Sequence, residues 1–326
     1  MGIITVIGSL NMDLVVRTVR APRAGETLAG SDFHIIPGGK GANQAVAAAR
    51  AGAAVRMVGC IGTDAFGPLM LDSLMAAGVE VSGIARLAET ATGTATIIVE
   101  GGGQNRIIVV PGANGMITPE FIQRQWPAIQ QSELILLQHE IPLPTVHAVI
   151  KLAHAAGIRV VLNPAPFYPI PQDILAKVDT LIVNEVEVEA LTGLAVTDPL
   201  TARIAAASLT DQGVHTVIIT LGANGALLRT ANDELFQPAF QVEVVDTTAA
   251  GDTFAGSYAA CILAGSQPQD ALNFASAASA LAVTRLGAQT SIPAKDEVEA
   301  FLAAQAHEIV GYHQIFNTGG EPEVTV

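Results

Sequence analysis

Short runs of β-branched residues alternate along this chain with longer Ala-rich stretches, and that alternation limits the fold to a narrow class. Strand, helix and strand in succession bury both sheet faces only as a parallel sheet with right-handed crossovers and helices on each side. Ile3–Ile7 predicts a buried first strand ending at Gly8-Ser9. Gly38-Gly39-Lys40-Gly41 then opens a helix over roughly Ala42–Ala51, Val55–Ile61 reads as a strand, and Phe66–Ala77 as a helix closed by Gly78. The same rhythm returns later. Strands are expected at Leu134–Leu137, Arg159–Leu162, Thr180–Val183 and Thr216–Thr220, with helices over Leu143–Ala156 and Leu200–Gln212. Gly225–Arg229 reads as a hairpin partner of the last strand. Helices starting at Gly251, after Gln269 and near Ala294–Ala306 complete the pattern.

Two segments break the rhythm. Val15–Ile35 holds Pro22 and Gly25 and no good helix, and Thr94–Val99 with Arg106–Val110 flanks the turn Gly101-Gly102-Gly103 as a hairpin would. Together they predict a small β flap built from two insertions, about 14–36 and 93–111, on a single domain spanning 1–307. Residues 308–326, with Gly319-Gly320 and Pro322, show no period and predict a loose tail.

Composition removes several function classes. A net charge of −14 repels a polyanion, which argues against nucleic-acid binding but leaves room for a small anionic nucleotide held by local backbone. Cys60 and Cys261 form no CxxC and read as buried thiols of a reducing compartment, the cytoplasm. The N-terminus has no basic region and Asp13 interrupts its first apolar stretch, so no signal peptide is expected. The apolar stretch Thr253–Thr284 is broken by Gln267, Gln269 and Asp270, and reads as buried helices rather than a membrane span. Seven scattered histidines show no zinc spacing; His139 beside Glu140 reads as structural. No GxSxG appears, which argues against acyl transfer.

Ligands of open parallel sheets bind beyond the carboxyl ends of the strands, which singles out Asn11, Asp13, Glu140, Asn163, Asn184 and the turn Gly222–Gly225. The strongest local signal is Asp246-Thr247-Thr248-Ala249-Ala250-Gly251-Asp252-Thr253. Small residues enter a helix whose free N–H groups and dipole would hold an anion, with Asp252 in the first turn ready to accept a proton. The plainer reading keeps Asp252 as a helix-start residue. Gly38–Asn43 is no Walker A loop, since Gly41 follows Lys40, but its N–H groups, Lys40 and Asn43 suit substrate hydroxyls. Asn184-Glu185-Val186-Glu187 reads either as a capped helix start or as a group ordering Mg²⁺ waters.

These stretches, in this order, resemble the signature regions of the ribokinase, or PfkB-type, carbohydrate kinase family, over about Ile3–Ala306. Gly39–Ala48, Asn163-Pro164-Ala165-Pro166 and Ala282-Val283-Thr284-Arg285 followed by Gly287-Ala288-Gln289 are similar to its ribokinase branch. The resemblance implies a three-layer α/β/α fold with a central mostly parallel sheet and a small β-sheet lid. It implies ATP-dependent phosphorylation of D-ribose at the 5-hydroxyl, with Asp252 as general base and Ala249, Ala250 and Gly251 as the anion hole. Ala249 stands where the family more often has Gly. Sugar contacts are implied for Asn11, Asp13, Gly39, Lys40, Gly41, Ala42, Asn43, Glu140 and Asp252. ATP contacts are implied for Asn184, Thr220, Leu221, Gly222, Ala223, Asn224, Gly225, Gly251, Asp252 and Ser276, the last where relatives often carry His or Asn. Glu187 is implied to hold Mg²⁺ through water. Asp246, Thr248, Ala282, Arg285, Gly287 and Ser291 are implied to line a K⁺ site. A homodimer through the lid, a soluble cytoplasmic protein and no membrane or nucleic-acid partner complete the expectation. Another acceptor (2-deoxyribose, fructose, a nucleoside or pseudouridine) and a sensor without turnover stand as alternatives.

Overall fold

The computed structural model describes residues 2–102 and 104–316, so Gly103 of the expected turn and residues 317–326 of the expected tail lie outside the described residues. The chain opens with β1 (Ile3–Ile7), β2 (Asn11–Thr18), β3 (Asp32–Gly38), α1 (Lys40–Arg50), β4 (Ala54–Gly62), α2 (Phe66–Ala76) and β5 (Glu80–Leu87). The hairpin β6 (Gly93–Glu100) and β7 (Asn105–Val110) follows. Next come α3 (Pro119–Ile129), β8 (Leu134–Gln138), α4 (Leu143–Ala156), β9 (Arg159–Asn163), α5 (Gln172–Leu175), β10 (Thr180–Asn184), α6 (Glu185–Thr192) and α7 (Pro199–Asp211). The last part is β11 (Thr216–Thr220), β12 (Ala226–Thr230), β13 (Glu234–Gln237), α8 (Ala250–Leu263), α9 (Pro268–Ala282) and α10 (Lys295–Phe316).

Nine strands form the main sheet in the order β13-β12-β11-β10-β9-β8-β1-β4-β5. All neighbours from β5 to β11 run parallel, while β12 and β13 turn back antiparallel at one edge. The order reverses direction at β1, which pairs with β4 on one side and β8 on the other, and this places the ligand crevice beyond the ends of β1 and β8. Successive side chains serve opposite faces: Leu134 and Leu136 enter one core, Ile135 and Leu137 the other. Helices cover both faces, as the near-continuous aliphatic strands require.

The insertions form a separate four-stranded sheet in the order β3-β2-β6-β7. Its register puts Asp13, Ala95 and Val109 on one face, through the pairs Asp13↔Ala95 and Ala95↔Val109. The other face carries Phe33, Ile35, Ile108 and Val110, all exposed.

The structure moves several boundaries. α1 begins at Lys40, not Ala42, because Gly39 takes a φ of 87° that only Gly holds easily and so ends the turn one residue before Lys40. β2 begins at Asn11, so Asn11 and Asp13 are strand residues of the small sheet rather than a loop beyond β1. α10 runs on to Phe316, past Ala306. β5, α3 and the short α5 are elements that hydrophobic periodicity did not single out. Cys60 is buried and Cys261 half-buried, both free, and burial pushes each thiol up to about 11. Among the described residues no helix is long and apolar enough to cross a membrane.

Candidate active site

The site begins with two helices that cross unusually close. α1 is a run of small residues, and it packs on α8 where Gly256 lies against Gln44, Ala47 and Ala48. A Cβ on Gly256 would come within 2.6 Å of the Ala47 Cβ and would collide with the Gln44 carbonyl. Only small side chains allow this approach. At the other end of α1, a Cβ on Gly41 would lie 2.6 Å from the backbone of Gly8 and Ser9, so α1 also presses on the end of β1.

The crossing brings Asn43 and Gln44 onto Asp252, in the first turn of α8. Asn43 Nδ2 donates to Asp252 Oδ2 at 3.0 Å and Gln44 Nε2 donates to Oδ1 at 3.0 Å. Gln44 is itself oriented, because Gln138 Nε2 donates to its Oε1 at 2.6 Å and its Nε2 also reaches Asn163 Oδ1 at 3.1 Å. Asn163 in turn donates to the Ile182 carbonyl at 2.9 Å. Asp252 is buried. Asn43 Oδ1 is buried and accepts nothing from the protein. The sequence pattern gave no reason to single out Gln44 or Gln138.

The start of α8 is open to a ligand. Ala249 caps it at φ 60°, the only non-Gly residue in the left-handed region among the described residues, and no side chain caps the helix. That conformation costs an Ala roughly 1–2 kcal/mol. Space next to Gly251 is empty, with nothing within 4 Å of where a Cβ would stand. Thr253 N donates to the Ala249 carbonyl at 2.8 Å, so the N–H groups ahead of it, at Gly251 and Asp252, precede the first intrahelical bonds.

A second carboxylate, Glu140, follows β8. Its Oε2 accepts from Ser9 Oγ at 2.5 Å, the Lys40 backbone N–H at 3.1 Å and Asn11 Nδ2 at 3.4 Å. Asn11 is held from behind by Asn114, whose Nδ2 donates to Asn11 Oδ1 at 2.7 Å and to the Leu10 carbonyl at 3.2 Å. Asn114 also accepts from the Leu10 N–H at 2.9 Å. Asn114 sits in a turn after β7, where no pattern pointed to it. A third carboxylate, Asp13, lies against Gly38, where a side chain would collide with it. Burial first, then the charges of Glu140 and Asp252, raise Asp13 to about 7, against the pull of Lys40. Lys40 is held above its usual range, chiefly by Asp252 and also by Glu140, Glu187 and Asp13, so it stays charged.

The residues expected at a nucleotide lie beyond β10 and β11. Asn184 and Thr220 are register partners there, and Leu221–Gly225 forms a tight turn with Gly222 at φ 51° and Gly225 at φ 110°. Asn184 and Glu187 form the reciprocal cap of α6: Glu187 N donates to Asn184 Oδ1 at 2.8 Å, and Asn184 N to Glu187 Oε2 at 3.0 Å. The capped-helix reading of this motif is therefore present in the structure, and it uses only one oxygen of Glu187. Burial raises the Glu187 carboxyl above its usual value. On α9, Ser279 donates to the Ala250 carbonyl at 3.0 Å, and one turn earlier the Ser276 hydroxyl is buried without a partner.

Asp246 joins two loops. Its Oδ1 accepts from Thr248 N at 2.9 Å and Thr248 Oγ1 at 2.7 Å, and its Oδ2 from Gly287 N at 3.0 Å. Burial alone would raise this carboxyl, but these bonds together hold it below its usual value. Ser291 Oγ is buried and donates to the Ala288 carbonyl at 2.8 Å. Ala282 accepts from Arg285 N at 3.1 Å, and the Arg285 guanidinium turns outward to Glu297. No cluster of three or more His, Cys, Asp or Glu disposed to hold a metal occurs among the described residues.

Comparison with known proteins points the same way. The model of the pfkB family carbohydrate kinases matches residues 1–295. Over 299 residues the chain is 40% identical to a ribokinase of Haemophilus influenzae, covering 92% of this chain and 98% of that protein. It is 38% identical to a deoxyribokinase of Salmonella typhi, with coverage of 92% and 98%. The structure of an Arabidopsis thaliana ribokinase complexed with ribose and ATP superposes with a TM-score of 0.87 at 34% identity, covering 92% of this chain and 98% of that one.

Asp13 offers a direct check on the electrostatics. Its folded value of about 7 lies above the ordinary 3.8, so folding penalises its charged form. The cost is absent below about pH 4 and grows as pH rises toward 7. Asp13→Asn removes the charge and keeps the shape. Urea denaturation from pH 4 to 8 should show the variant gaining on the wild type by up to about 4 kcal/mol across that window. A difference that does not change with pH would contradict the burial of a charged Asp13.

Proposed function

The chain belongs to the pfkB family of carbohydrate kinases, and within that family we propose that it transfers the γ-phosphoryl group of ATP to the 5-hydroxyl of D-ribose. The observation that carries this reading is the pairing of a tethered carboxylate, Asp252, with an uncapped helix start in one turn of α8. Phosphoryl transfer asks a protein for positioning and charge neutralisation more than for covalent help. Asp252, aimed by Asn43 and Gln44, takes the proton of the sugar hydroxyl. The hydroxyl oxygen attacks phosphorus, the bond to the β,γ-bridging oxygen breaks, and ADP leaves. The N–H groups at the start of α8 face the transferred phosphoryl, and Lys40 offsets charge beside it.

Asn11, Asp13, Asn43 and Glu140 hold the sugar. Asn11 favours a hydroxyl-bearing pentose over 2-deoxyribose, because Asn114 locks its amide and a lost hydroxyl would leave it unpaired. Asn184, the Thr220–Gly225 turn and Ser276 hold the nucleotide, with the orphan Ser276 hydroxyl as a contact near the base.

Two cations belong to this reading. Glu187 fits Mg²⁺ bound through water, since its cap leaves one carboxylate oxygen unused and Mg²⁺ keeps most of its waters. Mg²⁺ would neutralise the phosphates of ATP. The Asp246 loop fits K⁺ mainly through backbone carbonyls, because the carboxylate already accepts three bonds and Arg285 points away. K⁺ would add positive field behind the α8 start. We also assign the exposed apolar face of the small sheet, Phe33, Ile35, Ile108 and Val110, to a homodimer contact. The working compartment is the cytoplasm, consistent with two free cysteines.

An ADP-release assay with Mg²⁺-ATP and K⁺ over ribose, 2-deoxyribose, fructose and nucleosides should show turnover highest on ribose. Asp252→Asn should still fold and bind ATP but lose about 10²–10⁴ in turnover; turnover near the wild type would remove Asp252 as the base. Cation titrations should separate the two metal sites. Asp246→Ala should weaken K⁺ activation and leave the Mg²⁺ requirement alone, and Glu187→Gln should do the reverse. Ile108→Glu should give a monomer in sedimentation; an unchanged sedimentation profile would place any self-contact elsewhere.

A further inference from the structure

Behind Asp252 lies a set of buried amides. Gln44 and Gln138 are fully buried and Asn163 nearly so. Gln138 ends β8 and Asn163 ends β9, and the two are register partners in the parallel sheet. Both side chains reach Gln44 on α1.

The direction of the bonds is set from Asp252 outward. An ionised carboxylate only accepts, so Gln44 must offer it an N–H. Both hydrogens of Gln44 Nε2 are then used, on Asp252 Oδ1 at 3.0 Å and on Asn163 Oδ1 at 3.1 Å. Gln44 Oε1 is left to accept, and Gln138 Nε2 supplies that bond at 2.6 Å. What remains over is Gln138 Oε1, buried without a partner among the described residues. Buried polar groups are rarely left so. Room for this oxygen depends on a missing side chain, since a Cβ on Gly8 would stand 2.0 Å from it. The β8 residues before it, Leu134–Leu137, are all aliphatic. An aliphatic residue at 138 would fill the same place with no orphan of its own. Packing therefore does not account for an amide here, whereas the bond to Gln44 does.

We propose that Gln138 is a positioning residue of the phosphoryl transfer: it holds Gln44 from behind, so that Gln44 stays on Asp252 and Asp252 faces the acceptor hydroxyl. This rests on the kinase reading above. Among the described residues the side-chain bond of Gln138 goes to Gln44, so it acts on Asp252 through that residue. Without its N–H, Gln44 Oε1 becomes a buried acceptor with no donor. The Gln44 side chain relieves that by turning, which takes Nε2 off the carboxylate. Bonds in such a chain also strengthen one another, so the Gln138 bond makes Gln44 a better donor to Asp252.

The test is a double-mutant cycle on the single-turnover rate of phosphoryl transfer, with the acceptor that the ADP-release assay ranks first. The variants are Gln138→Met, Gln44→Met and the pair; Met keeps the length and cannot donate. Gln138→Met should slow transfer about tenfold and leave half-saturation by sugar and by ATP within about twofold of wild type. In the Gln44→Met background the same substitution should cost nothing further, because the group it acts through is gone. Gln138→Leu, a second side chain without a donor, should repeat both results. A full transfer rate in Gln138→Met, or an equal loss with and without Gln44, would overturn the positioning role and leave the kinase standing. Failure of both Gln138 variants to fold would overturn it too, since packing would then need the amide. A wild type that transfers phosphate to none of the acceptors would overturn the kinase reading, and this proposal with it.

Discussion

The close crossing of α1 and α8 is the constraint on which the rest of the site depends. Asn43 and Asp252 are 209 positions apart in the chain, and only small residues at the crossing let their side chains meet. One larger residue at Gly256 would lift α1 off α8 by more than a hydrogen bond tolerates, since interiors are packed with little slack. The same contact sets the two amides that aim Asp252. Gln138 at the end of β8, Gln44 on α1 and Asn163 at the end of β9 form a continuous buried chain to its carboxylate. Such a chain is worth having only when nearly every member is paired, and its unpaired ends, Asn43 Oδ1 and Gln138 Oε1, mark where the network stops.

Much of this was legible in the sequence, for physical reasons that vary along the chain. The parallel strands are buried on both faces and therefore read as unbroken aliphatic runs, so β1, β4, β8, β9, β10 and β11 fell close to their expected bounds. β5 is the edge strand, and Glu80, Ser82 and Arg86 dilute its apolar pattern. α3 holds Trp126 and Pro127 near its end, and Pro inside a pattern argues against helix. The small sheet was visible as a break in rhythm, but its strand order was not, because β2 pairs with β6 across more than seventy intervening residues.

The site divides in the same way. Residues carried by local backbone geometry, such as the Gly38–Asn43 turn and the Asp246–Thr253 helix entry, showed in the sequence because their small residues have a local cause. Asn114, Gln44 and Gln138 act only through partners distant in sequence and left no local mark.

The electrostatics of the site suit an uncharged polyol. Asp13, Glu140 and Asp252 crowd one buried region with a single cation, Lys40, among them, and burial already drives Asp13 toward its neutral form. Such a region is short of hydrogen-bond donors. A polyol supplies them without adding charge, so an unphosphorylated sugar relieves the crowding. The product carries a phosphate that is close to a dianion at neutral pH. In the proposed reading that charge is met by the N–H groups at the start of α8 and by Lys40, not by the crowded carboxylates. In that reading the sugar is held where its hydroxyl donors meet these buried acceptors.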